Sequence, residues 1–456
     1  GTVDEYFNLT QIKDVTDIVT LSSGNGQPTP ATIALSPDFI ADLERYEGQL
    51  VTLTTGTDLP LTVIENFNFD RYGEIVVSAG GQVTPTQIYN PNTQLDLIHA
   101  LQKANANNRF KIDGGNPATE FPYAPAAVGD NGNGFIDAGD TFSALGSTLR
   151  VGAELTGSVT GVLTYNFNEY KLLPISLLPV DEATNGGARQ QEPTDVGGRL
   201  KGASFNLLNY FTTLNDGSGN GSGPENLTPR GATSAVDLER QTDKIVTALL
   251  KLDASVIGLQ ELENNGFGDG SAIKALVDAL NARAPQGTVY AFVNPTKADA
   301  GGFIGTDAIT TGLIYKQSDV ELVVSDTFVF TEPGQQSTRP AVTATFAEAG
   351  TGERFTVSVN HFKSKSGTGT GADADKGDGQ GAFNATRVET ARQLAEWLKA
   401  GNPDGYLATH GIDDPDVLIL GDLNSYAKED PISALLSAGY VDVVDAHIGQ
   451  DKAFSY

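Results

Sequence analysis

The chain contains no cysteine and no methionine. Disulfides, thiol nucleophiles and cysteine-bound zinc are therefore excluded from its fold and chemistry. A chain without oxidisable sulfur suits an oxidising exterior. Basic residues are scarce. Twenty-nine Lys and Arg stand against 57 Asp and Glu, a net charge of −28 over 456 residues. That imbalance excludes a broad electrostatic grip on a polyanion, so such a partner has to be met by a local basic groove or by neutralising cations. Long apolar runs are missing too. No window approaches the roughly 18–20 residues that cross a bilayer as a helix, so membrane insertion is not expected. The chain begins at Gly1 without an initiator methionine or a cleavable leader pattern, which reads as a mature or trimmed product.

Apolar residues make up 39% of the chain, enough for real cores and too many for general disorder. The 52 glycines, the many aspartates and the few lysines give the texture of a secreted bacterial protein. From 1 to 180 the signals are strands and turns. Gln49–Leu53, Glu74–Val77 and Gly161–Tyr165 carry β-branched and aromatic residues between Gly, Pro and Asn. A small barrel or sandwich is expected there, with one short helix over Pro37–Tyr46 capped by Ser36. Residues 181–198 hold almost no apolar side chain and read as a linker. From 199 to 456 strands alternate with helices, the strands including Ser255–Leu259, Phe355–Asn360 and Asp416–Leu420. The helices include Thr233–Leu252, Ser271–Arg283 and Asn384–Lys399. This is an α/β or α+β domain.

Polar side chains stand where several of these buried strands end. Asn206 and Asn209 lie in FNLLNY, Glu261 closes IGLQE, His361 closes TVSVNH, and Asp422 and Asn424 follow LILGDLN. Strand ends can converge on one rim of a sheet. Carboxylate and amide oxygens together suit a hard cation such as Mg²⁺, and a nearby imidazole can move a proton or bind a phosphate oxygen. A second cation candidate is the run from Gly129 to Asp140. There Gly134 takes the turn position of a calcium loop, and Asn131, Asn133 and Asp140 take ligand positions. The loop 366–381, with Asp373, Asp375 and Asp378, is a third.

The second half resembles the endonuclease/exonuclease/phosphatase superfamily, and within it the large secreted bacterial nucleases. The resemblance is carried by SFNLLNYF (204–211), RQTDKIVTALLKLDASVIGLQELENNG (240–266), GTDAITTGLIYK (305–316), STRPAV (337–342), VNHFKSK (359–365), GDGQGAFNATR (377–387) and LILGDLNSYAKEDPI (418–432). It implies an α+β chain with a four-layer α/β sandwich as catalytic domain. A mostly-β barrel of the oligonucleotide-binding (OB) type would precede it, matched best by 149–174. It implies that Glu261, Asn206 and Asp422 bind Mg²⁺ or Mn²⁺. Asp422 and Asn424 would orient the attacking water, and His361 and Arg339 would contact the scissile phosphate. Asp307 would orient the site, and Lys363 could reach a phosphate. The substrate implied is extracellular DNA, with RNA second.

The resemblance also implies a second histidine in a late Asp-His motif. The four histidines are His99, His361, His410 and His447, and none has that context, so the chain is expected to be truncated at its C-terminus. The other three histidines are read as structural. Two rival readings remain open. One is a phosphomonoesterase or lipid-headgroup phosphodiesterase of the same fold. The other is a non-catalytic, calcium-binding surface or matrix protein. Oligomeric state is not legible.

Overall fold

A computed structural model describes residues 1–39, 42–114, 149–186, 190–295, 302–331 and 339–449. The chain divides into two compact units, Gly1–Pro85 with Asp96–Gln191, and Thr86–Leu95 with Glu192–Tyr456. Among the described residues no helix is long and apolar enough to cross a membrane.

The first unit opens with a hairpin of β1 (Thr2–Tyr6) and β2 (Leu9–Lys13). Its core sheet uses β3 (Ala31–Leu35), β4 (Leu50–Thr55) and β5 (Leu61–Glu65). A helical turn α1 (Phe69–Tyr72) leads to β6 (Glu74–Ala79). After α2 (Pro85–Ile88) and α3 (Leu95–Asn107) come β7 (Phe110–Asp113), β8 (Val159–Asn166) and β9 (Glu169–Pro174). The seven strands lie in the order β3-β4-β8-β9-β7-β6-β5. Alternate residues such as Ile33, Leu35, Val51, Leu53, Leu163 and Leu172 fill one core.

This sheet corrects the expected OB barrel: it is open. Its end strands β3 and β5 do not pair with each other. The outer groups of β5 are already satisfied by the segment beside it. Val63 N–H donates to Ala153 O (2.8 Å), Gly152 N–H to Val63 O (2.8 Å) and Leu155 N–H to Leu61 O (2.8 Å). An edge covered in this way has nothing left to offer a closing strand. The short helix expected over Pro37–Tyr46 is also absent from the described residues. Phe39 N–H donates to Ser36 O (3.0 Å) to close a turn, and only Glu44–Tyr46 form a 3₁₀ turn. Part of the apolar-poor stretch after Val180 packs on this unit. Asn185 is 2% exposed, and its Oδ1 accepts from Arg150 N–H (3.0 Å).

The second unit contains two four-stranded sheets. The first uses β10 (Gly202–Tyr210), β11 (Val256–Glu263), β12 (Tyr290–Phe292) and β13 (Ile309–Lys316), in the order β10-β11-β13-β12. The second is β14 (Val320–Phe328), β15 (Ala341–Glu348), β16 (Arg354–His361) and β17 (Val417–Asp422), in chain order. Helices α4 (Ala235–Leu252) and α5 (Ala272–Arg283) cover the first sheet. Helices α6 (Asn384–Trp397), α7 (Tyr406–Thr409) and α8 (Asp430–Ser437) cover the second, and α9 (Val443–His447) follows.

Three cores hold these layers. Val256, Leu313, Val342, Phe346, Val357 and Val359 fill the space between the sheets. Ile257, Leu259 and Ile314 meet Ile245, Leu249 and Leu276 of the first helix pair. Phe362, Leu394, Trp397 and Tyr406 belong to the third core. Every residue of β13 is buried, the pattern of a strand covered on both faces. The helix face of the second sheet mixes apolar residues such as Ala341 and Ile419 with buried hydroxyls. Thr343 donates to Ser358 Oγ (2.8 Å), and Thr345 and Thr356 share a hydrogen bond (2.8 Å). These hydroxyls satisfy one another across the strands, so burial costs little.

Candidate active site

Each sheet of the second unit contains one parallel strand pair, β10 with β11 and β16 with β17. Parallel strands end together, so each pair delivers polar residues to one edge.

At the first pair the register breaks between Asn206 and Tyr210, and the pairing of β11 with β13 breaks between Leu259 and Leu262. Leu208, Asn209 and Glu261 take left-handed φ of 53°, 56° and 58°. Such bulges re-aim side chains next to functional sites. Gln241 of α4 holds this one, its Nε2 donating to the carbonyls of Leu207 (3.2 Å) and Leu208 (3.0 Å). Glu261 Oε1 accepts from Asn206 Nδ2 (3.1 Å), and Oε2 accepts from Asn209 N–H (3.0 Å).

At the second pair His361 lies directly across from Asp422 in the parallel register. His361 Nε2 is 3.9 Å from Asp422 Oδ2. Asp422 Oδ1 accepts from Asn424 N–H (2.8 Å), and Asn424 Nδ2 donates to Phe362 O (3.0 Å). Asn424 takes φ 48°, which an asparagine tolerates well. His361 is 4% exposed, and its Nδ1 is buried without a hydrogen-bond partner among the described residues. The buried Asn360 Oδ1 beside it lacks a partner as well. Unpaired buried polar atoms cost about 1–3 kcal/mol each and accumulate where a ligand completes the set.

Arg339 joins these groups to Asp307. Its Nε lies 3.2 Å from Asp307 Oδ2, an ion pair without hydrogen-bond alignment, and Nη1 donates weakly to His361 O (3.4 Å). The other oxygen of Asp307 accepts from Arg230 Nη2. Arg339 also lies in the field of Glu261 and Asp422. Burial lowers its pKa, but a guanidinium stays charged at any working pH.

Burial, and after it the positive charge of Arg339, drive His361 from its ordinary 6.5 down to about 3, against the pull of Asp307. The folded ring is therefore neutral at pH 7. As pH falls below 6.5 the unfolded chain takes up a proton here that the folded chain refuses until about pH 3. Between those limits acid favours unfolding, by about 1.4 kcal/mol per pH unit from this ring, and above them the effect vanishes. Trp397, the single tryptophan, lies in the third core and reports on this unit. Urea midpoints followed by its fluorescence should fall between pH 6.5 and 4.5, and fall less steeply in His361→Gln. Equal slopes for the two proteins would show that the ring is not held neutral.

The expected metal centre is not formed. Among the described residues no group of three or more His, Cys, Asp or Glu is placed to hold a metal ion. The physical reason is local. Asn206 Nδ2 and Asn209 N–H each donate to one oxygen of Glu261, and Asn424 N–H donates to one oxygen of Asp422. The Mg²⁺ or Mn²⁺ set that the sequence suggested, Glu261, Asn206 and Asp422, contains only two carboxylates and so falls short of such a group. Asn131, Asn133 and Asp140, the expected Ca²⁺ ligands, lie outside the described residues. The acidic loop at 366–381 spends its carboxylates on the backbone. Asp373 accepts from Thr386 N–H (2.9 Å) and Oγ1 (2.7 Å), which caps α6 from a distance. Asp378 accepts from Gln380 N–H (3.0 Å).

Lys363 Nζ sits 4.5 Å from the centre of the Phe383 ring. His410 Nδ1 meets Tyr406 O (2.9 Å), and its Nε2 is 3.5 Å from the buried Asp326. His99 lies in α3, and His447 ends α9. Sequence reasoning missed Arg230 altogether. Its one signal was being the only basic residue between Lys201 and Arg240.

No family model matches the chain, and no curated protein matches it. Among solved structures it is similar to the human Nocturnin catalytic domain with bound sulfate. Identity is 16%, over 47% of this chain and 69% of that one, with a TM-score of 0.32. It is similar to an endonuclease/exonuclease/phosphatase family protein from Bacteroides thetaiotaomicron at 17% identity, over 53% of this chain and 69% of that one, TM-score 0.32. It is also similar to a mannosyl-6-phosphatase from Bacteroides thetaiotaomicron at 17% identity, over 53% and 71%, TM-score 0.32.

Proposed function

We propose that this chain is a secreted phosphodiesterase that hydrolyses nucleic acid, DNA first and RNA second. The observation that carries the reading is the buried, neutral His361 set against Asp422, with Arg339 beside it on the carboxylate of Asp307. The sequence resemblance of 199–456 to secreted nucleases supports it.

The chemistry needs those groups. Attack of water on a phosphodiester sheds a proton from the water, places negative charge on the phosphoryl oxygens and releases an alkoxide. Arg339 offers planar, charge-assisted donors to the phosphoryl oxygens. An anionic phosphate seated beside the ring offsets Arg339 and raises the imidazole's basicity, so that it accepts the proton from the attacking water while Asp422 steadies the resulting imidazolium. Asn424 fixes the Asp422 carboxylate through its N–H, so that carboxylate need not reorganise during the reaction. The leaving oxygen takes its proton from solvent.

The test is relaxation of supercoiled plasmid at neutral pH, in buffers with and without divalent salts, beside p-nitrophenyl phosphate and sphingomyelin. Cutting of plasmid by the wild type, lost in Asp422→Ala, is the expected result. A folded protein that cuts no plasmid in any buffer overturns the reading, and release of phosphate from the monoester alone replaces it with a phosphomonoesterase.

A further inference from the structure

The pair of arginines on Asp307 is unequal, and the inequality bears on the substrate. Arg339 is the inner member, with its side chain 14% exposed and Nη1 turned to the carbonyls of His361 and Phe362. Arg230 is the outer member, 44% exposed. Arg230, Asp307 and Arg339 together carry one net positive charge, which the carboxylates of Glu261 and Asp422 meet on the side of Arg339. Nη2 of Arg230 donates to Asp307, and the guanidinium has further donors on an exposed side chain.

The loop is built to put Arg230 there. A Cβ on Gly231 would stand 2.7 Å from Phe211 Cβ and 2.9 Å from Asn209 O, so the backbone after Arg230 lies directly on the end of β10. A Cβ on Gly223, which takes φ +72°, would stand 3.0 Å from Asp307 O. Ala232 O accepts from Asn215 N–H (2.9 Å). The loop is thus packed at one point against Asp307 and at another against Asn209, the residue whose N–H holds Glu261. An arginine needed only to neutralise Asp307 would not require its backbone pinned to the strand end that carries Asn206 and Asn209.

We infer that Arg230 binds a phosphate neighbouring the scissile one, so that the site takes a polynucleotide strand in preference to an isolated phosphodiester. The inference rests on the phosphodiesterase reading above and names the substrate feature it recognises. Adjacent phosphates follow one another along a strand, and two guanidiniums flanking one carboxylate present donors to two successive anionic groups. A simple diester such as bis(p-nitrophenyl) phosphate has no second phosphate and gains nothing from the outer arginine.

Binding is read separately from cutting. A fluorescein-labelled single-stranded 12-mer is titrated with wild type, Arg230→Gln and Arg230→Lys, and anisotropy is followed over a salt series. One phosphate contact on single-stranded DNA contributes about 0.7 to the slope of log affinity against log salt. Arg230→Gln should reduce the slope by about that amount, and Arg230→Lys, which keeps the charge, should restore it. In turnover, kcat/KM of Arg230→Gln should fall about tenfold more for the 12-mer than for bis(p-nitrophenyl) phosphate. Trp397 fluorescence verifies that each variant is folded. An unchanged slope, absence of 12-mer binding by the wild type, or an equal loss on both substrates overturns the inference. A wild type that binds the 12-mer with the expected slope but cuts nothing overturns the phosphodiesterase reading and leaves the phosphate contact standing.

Discussion

Replacing His361 with glutamine should lower kcat on plasmid DNA by about 10²–10⁴-fold, the range that positioned proton transfer contributes. Glutamine fills much of the same space and can still donate a hydrogen bond, so the loss isolates the proton that only an imidazole can take. The pH profile of the wild type adds a second readout. In the free protein His361 titrates near 3, because it is buried and stands beside Arg339. The acid limb of kcat/KM, which reports the free enzyme, should therefore lie well below pH 5 so far as this ring controls it. An ordinary histidine would put that limb near 6.5. Retained activity in His361→Gln would move the proton transfer to another group. An acid limb near 6.5 that disappears in the variant would show the ring to be catalytic but solvated.

The strands and helices that were legible in the sequence are those with strong local periodicity. β11, β16 and β17 are short apolar runs ending in polar residues. α4 has its Ser234 cap, which accepts from Asp237 N–H, and α8 opens with Asp430-Pro431. The strand ends could be read as a site because a parallel pair must bring its termini to one edge, and the structure does set His361 across from Asp422. Other features depend on contacts that leave no periodic trace. Thr86–Leu95 belongs to the second unit, where Thr86 Oγ1 donates to the fully buried Glu429 (2.7 Å) and Asn92 Nδ2 to Asp430 (2.6 Å). Nothing local to 86–95 announces that. The expected barrel failed for a similar reason, since closure depends on whether the edge of β5 is already occupied. The metal set fell short because a strand-end pattern does not reveal how many acidic groups the fold brings within reach of one point. Glu263, two residues beyond Glu261, makes the point. It is 1% exposed, and Thr212 N–H (2.7 Å), Thr213 N–H (3.0 Å) and Ser222 Oγ (2.8 Å) all donate to it. It anchors a loop, although in sequence it is as acidic and as near the strand end as its neighbour.

Gly421→Ala should be the most destabilising small substitution near the site. Gly421 takes φ 131°, a region in which L side chains are strained, and its Cβ would fall 1.9 Å from the carbonyl oxygen of Asn360 on the paired strand. Backbone strain of this kind costs about 1–3 kcal/mol, and overpacking adds about 1–3 more, for a combined loss of roughly 2–6 kcal/mol. Gly401 separates the two contributions. It has φ 81° with nothing within 4 Å of a Cβ, so Gly401→Ala pays strain alone and should lose no more than about 2 kcal/mol. Urea midpoints read from Trp397 fluorescence compare the two directly. The chemistry follows the packing. Asn360 pairs with Gly421, and His361 with Asp422, so the missing side chain at 421 is what lets the strands close next to the reacting pair. A variant that relieves the clash by parting the strands would carry Asp422 beyond its 3.9 Å approach to His361 Nε2 and lose activity along with stability. If Gly421→Ala proves no more costly than Gly401→Ala, the close approach of β16 and β17 at this point is wrong. The alignment of His361 with Asp422, on which the proposed proton transfer depends, would go with it.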